Sequence, residues 1–420
     1  MTVGMQAPSA WVDQDRLMNR LDALARIGAT AAGGVDRQAL SAEDAQAQSL
    51  MAEWGAALGL QASRDAVGNF FLRWPGSVAG LPPLLAGSHL DSQPTGGRYD
   101  GVYGVVAALE AVQALQAAGV RPRRAIDVVA WMNEEGSRFA PGMMGSAVFA
   151  GERGLEETRA VRDAGGISVG DALDATAETL RHLPRRPMGG AVHAYIEAHI
   201  EQGPVLEREG LPIGVVSGIQ GKHTFRVHVR GEAAHAGTST RAERKDALLA
   251  ATAMVQALAA ALHDEEDIVR FTVGRFDVRP SAPSVVASEV VFSIDLRHPD
   301  SDELTRLSAL VEPACQAHAG PCDVQVRRLS AADSLVFPES MRARIRAAAD
   351  ALALPHRDLI SAAGHDARYL HAICPSAMIF VPCRDGITHN EAEYAEPEHL
   401  YAGARVLAHV LADLATEEAP

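Results

Sequence analysis

Apolar positions along the chain switch between a helical period and a strand period, and the switches mark out the elements. Residues 15–30 and 42–59 repeat with the helical period. Residues 84–88 form a short apolar run that ends at His89, a Gly-rich loop follows over 95–101, and a long apolar helix is predicted from about Val102 to Ala118. Residues 125–132 read as a buried strand ending at Asn133-Glu134-Glu135, and 192–201 alternate as a strand. The stretch 152–190 is mixed in polarity and predicts no definite element. Strand, helix and strand in this rhythm predict an α/β unit built on a mainly parallel sheet.

The order then changes. Residues 223–230 alternate as a strand, 243–262 are Ala/Leu-rich and helical, 268–276 and 285–297 are strand-like, 302–318 are helical, and 322–329 alternate again. That β-α-β-β-α-β order is the split pattern of a ferredoxin-like module, so we expect an α+β domain at 219–331 inserted between segments 1–218 and 332–420. Beyond it, a helix at 339–353, a helix start at the GHDA stretch near 364, a buried strand at 376–382 and a final helix at 397–416 resume the α/β pattern. A chain of 420 residues exceeds the usual size of one core, which agrees with two domains.

The formal charge of −15 argues against nucleic-acid and anionic-membrane partners, which call for clustered Lys and Arg. No uninterrupted apolar stretch is long enough to span a bilayer. The four cysteines, Cys315, Cys322, Cys374 and Cys383, form no C-x-x-C pair and read as reduced thiols. With no signal-peptide pattern at the N-terminus, the expected location is cytoplasmic.

The informative chemistry lies where predicted strands end, the edge at which open parallel sheets bind ligands. His89 ends one strand, Glu134-Glu135 end another, His199 lies near the end of a third, and His389 follows the 376–382 strand by a short loop. Asp100 precedes the long helix. Histidine and carboxylate without cysteine suit a hydrolytic divalent ion. Five such ligands satisfy two ions that share one bridging carboxylate, and one acidic residue of the 134–135 pair is left to take a proton from water. Asp91 is expected to accept the second ring N–H of His89.

The motifs GSHLDSQPTGGRYDGVYGV (87–105), NEEGSRF (133–139), HIEQGPVLE (199–207), GEAAHAGTS (231–239), IDLRH (294–298), SAAGHDA (361–367) and DGITHNEAEY (385–394) occur in this order. Together they resemble the hydantoinase/carbamoylase family of amidohydrolases, within the aminoacylase-like di-metal hydrolases, over about residues 15–415. The resemblance implies a mixed-sheet di-metal catalytic domain with the inserted ferredoxin-like domain as dimerisation and lid domain. It implies two divalent ions per subunit (zinc, manganese, cobalt or nickel), with His89 and His199 on one, Glu135 and His389 on the other, and Asp100 as the bridge. Glu134 resembles the general base and Asp91 the partner of His89. Gln202 resembles a substrate-binding residue near the metals, His235 the group that polarises the scissile carbonyl across a homodimer, and Arg297 the clamp for the substrate carboxylate. Gly364 is matched to a backbone N–H donor.

The implied reaction is hydrolysis of an N-carbamoyl-L-amino acid to the amino acid, ammonia and carbon dioxide. The alternatives are allantoate or β-ureidopropionate hydrolysis, then aminoacylase or dipeptidase activity, and last a catalytically silent binding protein. The chain departs from the family pattern at three places. Ser281 and Ser284 replace two asparagines, the second of which contacts substrate in the family; Arg241 stands in place of methionine; and Ala362 stands in place of glycine. None of these is an implied metal ligand.

Overall fold

The computed structural model describes residues 7–418, and the chain divides into two compact units. One comprises Met1–Ser217 and Phe337–Pro420, the other Gly218–Val336.

The sheet of the first unit runs, in spatial order, through strands Gln61–Arg64, Phe70–Trp74, Ile126–Trp131, Leu84–His89, Ala194–Ile200, Ser376–Val381 and Ile213–Ile219, with His356–Ser361 beside the last. The central strands, Ile126–Trp131, Leu84–His89, Ala194–Ile200 and Ser376–Val381, are parallel to one another. The flanking pairs are antiparallel, so the sheet is mixed. The parallel strands are buried along their whole length, as a sheet covered on both faces requires.

Helix Val102–Ala117 is apolar nearly all round and almost wholly buried, packed among the central strands and helix Pro397–Thr416. Its one acid, Glu110, is fully buried and answered by Arg16, Arg20 and the backbone N–H of Asp13, with Arg16 Nε at 2.8 Å. A buried carboxylate is tolerated only with such partners, and here they tie helix Gln14–Ala25 to the core helix. That helix stops at Ala25, short of the expected residue 30, because the chain turns at Gly28 to lie against Asp36. Part of the unassigned 152–190 stretch is helical, as Leu155–Ala160 and Val169–Thr179, the latter started by a reciprocal cap between Ser168 and Asp171.

In the second unit, strands Phe276–Arg279, Glu289–His298, Gly221–Arg230 and Asp323–Ala332 form an antiparallel sheet in that order, with Arg270–Thr272 also pairing with Glu289–His298. Helices Ala247–Ala261, Ser301–Ser308 and Val311–Ala317 cover one face and share a core with it. The first strand lies between the third and fourth, the arrangement of a split βαβ unit. Two expected elements are broken. The 302–318 helix is two short helices, and the 285–297 strand is divided at Ala287–Ser288 into Val285–Val286 and Glu289–His298.

Candidate metal centre

The parallel register of the central strands brings their C-terminal ends to one edge. His89 is the last residue of its strand and pairs with Trp131, after which the chain turns through Asn133 to Glu134 and Glu135. His199 is the next-to-last residue of Ala194–Ile200, in register with Phe380 of the neighbouring strand, beyond which the chain leads to His389. Asp100 and Gly101 precede the core helix. Gly101 has a left-handed φ of 66°, and a Cβ there would sit 2.3 Å from the His89 ring. Only glycine permits this approach.

Asp100 is central to the arrangement. Its Oδ1 lies 3.2 Å from His199 Nε2 and 3.7 Å from His89 Nε2, while its Oδ2 lies 3.4 Å from His389 Nε2. His389 Nε2 is in turn 3.3 Å from Glu135 Oε2. Two donor sets result, His89–Asp100–His199 and Asp100–Glu135–His389, each with candidate ligand atoms within 4.8 Å of one another. Glu134 stands beside them, with its Oε2 3.5 Å from His89 Nε2.

The electrostatics are those of a site short of positive charge. Burial raises Glu134 well above the usual carboxylate range, helped by Asp366, Glu135, Asp91 and Asp100. Burial and the Asp100 charge push Glu135 up to about 7. Burial also raises Asp100, but the hydrogen bonds and charges of its three histidines outweigh it and hold that carboxyl well below its ordinary value. Burial brings His89 down to about 4, whereas Asp100 and Glu197 overcome burial at His199 and hold it at about 9. Crowded carboxylates, imidazoles with a nitrogen turned inward, and no thiol are a donor set that fits divalent cations.

The surrounding contacts set the orientation of these groups. His89 Nδ1 lies 2.9 Å from the carbonyl of Asp91, and His199 Nδ1 lies 2.9 Å from the carbonyl of Ile200. Each carbonyl accepts the Nδ1–H and so turns Nε2 toward Asp100. This corrects the expected role of Asp91. Its main chain serves His89, while its carboxylate, 3.7 Å from the ring, accepts the backbone N–H groups of Glu134 and Glu135 at 3.2 and 3.3 Å. The backbone at Asn133, Gln202 and His389 takes left-handed φ values of 55°, 54° and 53°, a concentration of uncommon conformations around one centre.

Sequence reasoning missed several groups here. Glu393, buried inside the DGITHNEAEY motif, accepts the N–H groups of Tyr99 and Asp100 and the Thr388 hydroxyl, so it holds the Asp100 loop. Gln93 donates to Glu135 Oε2 at 2.8 Å. Glu197 and His365 make a third cluster with His199. Glu197 had a legible signal, an acid on an otherwise buried strand, whereas Glu393 and Gln93 could be found only through residues far away in the chain.

Gln202 donates to Asp100 Oδ2 at 2.9 Å, and Gly364 is exposed in the 361–367 loop. Three further candidates belong to the second unit. His235 is exposed on the short strand Ala234–His235, which pairs with Val285–Val286, and the Ser284 carbonyl accepts from the N–H of Ala236. The Nδ1 of His235 accepts from the N–H groups of Gly237 and Thr238 at 3.0 and 3.2 Å, which places the ring proton on Nε2. Arg297 grips Asp295 with two nitrogens at 2.8 and 3.1 Å, and Lys222 joins the same carboxylate. Arg241 is exposed in the loop after His235.

The profile of Peptidase family M20/M25/M40 matches residues 85–413, a span that contains every residue of both donor sets. The chain is an amidohydrolase of this family, in its hydantoinase/carbamoylase branch. It is 37% identical over 409 residues to an N-carbamoyl-L-amino-acid amidohydrolase of Rhizobium meliloti, covering 96% of this chain and 97% of that one. It is 34% identical to a ureidoglycolate hydrolase of Oryza sativa subsp. japonica, covering 97% and 86%. A crystal structure of a hydantoinase/carbamoylase family amidase from Burkholderia multivorans superposes with a TM-score of 0.89 at 40% identity, covering 97% of this chain and 99% of that one.

Proposed function

We propose that this amidohydrolase hydrolyses the ureido C–N bond of an N-carbamoyl-L-amino acid, giving the amino acid, ammonia and carbon dioxide. The observation that carries the reading is Asp100, whose two oxygens face two separate donor sets. We assign His89 and His199 to one divalent ion, Glu135 and His389 to the other, and Asp100 to both; zinc, manganese, cobalt and nickel all suit these donors. When bound, the two ions supply Lewis acidity and lower the pKa of water at the site.

Glu134, beside the donor sets but outside them, takes the proton of the attacking water and returns it to the leaving nitrogen. His235 donates its Nε2–H to the carbonyl oxygen as negative charge develops there. Its backbone contacts on Nδ1 support that tautomer. Arg297 recognises the substrate carboxylate, a task for which a planar fork suits better than a point charge. Gln202, Ser284 and the N–H of Gly364 complete the substrate contacts. The 219–331 segment serves as dimerisation and lid domain of a cytoplasmic homodimer, with 1–218 and 332–420 as the catalytic domain.

The replacement of both asparagines by Ser281 and Ser284, together with the ureidoglycolate hydrolase likeness, keeps a second reading in view: a ureido substrate such as allantoate, ureidoglycolate or β-ureidopropionate. The test is ammonia release by metal-loaded protein against N-carbamoyl-L-amino acids and these ureido compounds, with Glu134→Gln as control. A loss of about 10²–10⁴-fold in kcat with both ions retained is expected of the control. A variant that keeps its ions and most of its activity overturns the base assignment, and a wild type active only on the ureido compounds selects the second reading.

A further inference from the structure

Behind the metal centre lies a carboxylate that the reaction does not use. Glu197 is fully buried, two residues before His199 on the same strand and so on the same face of it. Its Oε1 accepts the hydroxyl of Ser88, the residue before His89, at 2.7 Å. Its Oε2 accepts the backbone N–H of Ala367 at 3.1 Å and lies 3.1 Å from the Tyr195 hydroxyl. That hydroxyl receives the Trp131 indole N–H and shares its single proton between Glu197 and the Gly87 carbonyl. Glu197 therefore touches the strand of His89, belongs to the strand of His199, and caps the loop that carries Gly364 and His365. Each of the three groups in hydrogen-bond contact with it has a proton to donate to a carboxylate oxygen. Candidate ligand atoms of Glu197, His199 and His365 lie within 4.8 Å of one another, so the charge is close to the imidazole.

We propose that Glu197 is a positioning residue that locks the His89–His199 half of the metal centre to the 361–367 loop and selectively strengthens cation binding in that half. The inference rests on the metal-centre assignment above. The Glu135–His389 half has its own support in Gln93, and none of the hydrogen bonds of Glu197 reaches it. A buried negative charge behind a ligating imidazole raises its basicity toward a cation, and the three-way anchor keeps both imidazoles at a fixed separation.

The substitution Glu197→Gln separates charge from shape. The amide oxygen can accept from Ala367 and Tyr195 while the amide nitrogen donates to the Ser88 hydroxyl, so the network survives and the charge is lost. Glu197→Ala removes both. The experiment is a titration of metal-free protein with cobalt(II) against a competing chelator, giving two dissociation constants for wild type, E197Q and E197A. The variant His389→Ala, alone and combined with E197Q, assigns which constant belongs to the His89–His199 half.

The expected result is a weakening of about 10–100-fold in that half for E197Q, with the other constant unchanged and the melting temperature of the metal-free protein close to wild type. Equal weakening of both constants, or none, overturns the proposal, since a merely structural residue loosens both halves together. Should the Glu197 variants fail to fold, Ser88→Ala removes one arm of the anchor and must weaken the same half selectively. A wild type that binds fewer than two ions overturns the metal-centre reading itself, whereas two ions with an indifferent E197Q overturns only the role of Glu197.

Discussion

The candidate residues of the two units are held in very different ways. In the first unit, His89, Asp100 and His199 are buried, and each is fixed by a partner: His89 and His199 by the neighbouring Asp91 and Ile200 carbonyls, and the Asp100 loop by the distant Glu393. In the second unit, His235 is exposed on a two-residue strand, Ser284 is exposed in the turn before another, and Arg297 is half-buried against Asp295. Heavily cross-braced residues cannot shift without cost, so the metal centre is preorganised by the fold. Exposed residues on short strands change cheaply. Three of the departures from the family pattern, Ser281, Ser284 and Arg241, lie in the second unit, and the fourth, Ala362, is exposed. The difference teaches that the buried and the exposed candidate residues are held to different tolerances in this chain.

The comparison is broken most directly at Asp100. Asp100→Asn leaves one oxygen to face two donor sets and is expected to abolish activity and remove at least one ion, as read by metal analysis after dialysis; a variant that keeps two ions at wild-type affinity contradicts the bridge. Next comes Gly101→Ala. Its Cβ has no room beside the His89 ring and its φ is left-handed, so we expect a loss of about 1–3 kcal/mol in stability together with weakened metal binding. Denaturant unfolding with and without metal checks both.

Chelation sharpens the contrast between units. All five proposed ligands lie in the first unit, so metal removal lowers its melting temperature, while the separate core of the second unit keeps its own transition in calorimetry. Arg297→Lys is expected to raise KM about tenfold for carboxylate substrates with kcat little changed, because the fork is lost and the charge kept. A fall in kcat alone would assign Arg297 a different task. The smallest effect is expected of Ser284→Asn. Stability should stay within about 0.5 kcal/mol, as for other exposed positions, while the ratio of kcat/KM between N-carbamoyl amino acids and ureido compounds shifts; an unchanged ratio places Ser284 outside the substrate contacts.

Much of this arrangement was legible in the chain alone, for a local reason. A strand announces itself by its apolar run, and in a parallel sheet the residue after that run sits at the binding edge, so His89, Glu134-Glu135, His199 and His389 could be picked out from position and chemistry. The split pattern of the second unit was legible by the same route. The helix breaks at 309–310 and the strand break at 287–288 were not, because periodicity continues smoothly across a short irregularity.

The sequence by itself determined most of the elements, and the types and order of the candidate donors. Only the tertiary structure decided how those donors are oriented: that Asp100 offers one oxygen to each set, and that Glu393 and Glu197 brace the centre from behind. The physical reason is separation along the chain. Glu393 bonds to Asp100 across 293 residues and Glu197 to Ser88 across 109. Pattern and propensity act over a few residues, while a buried hydrogen bond forms wherever folding brings a donor to an acceptor that has lost its water.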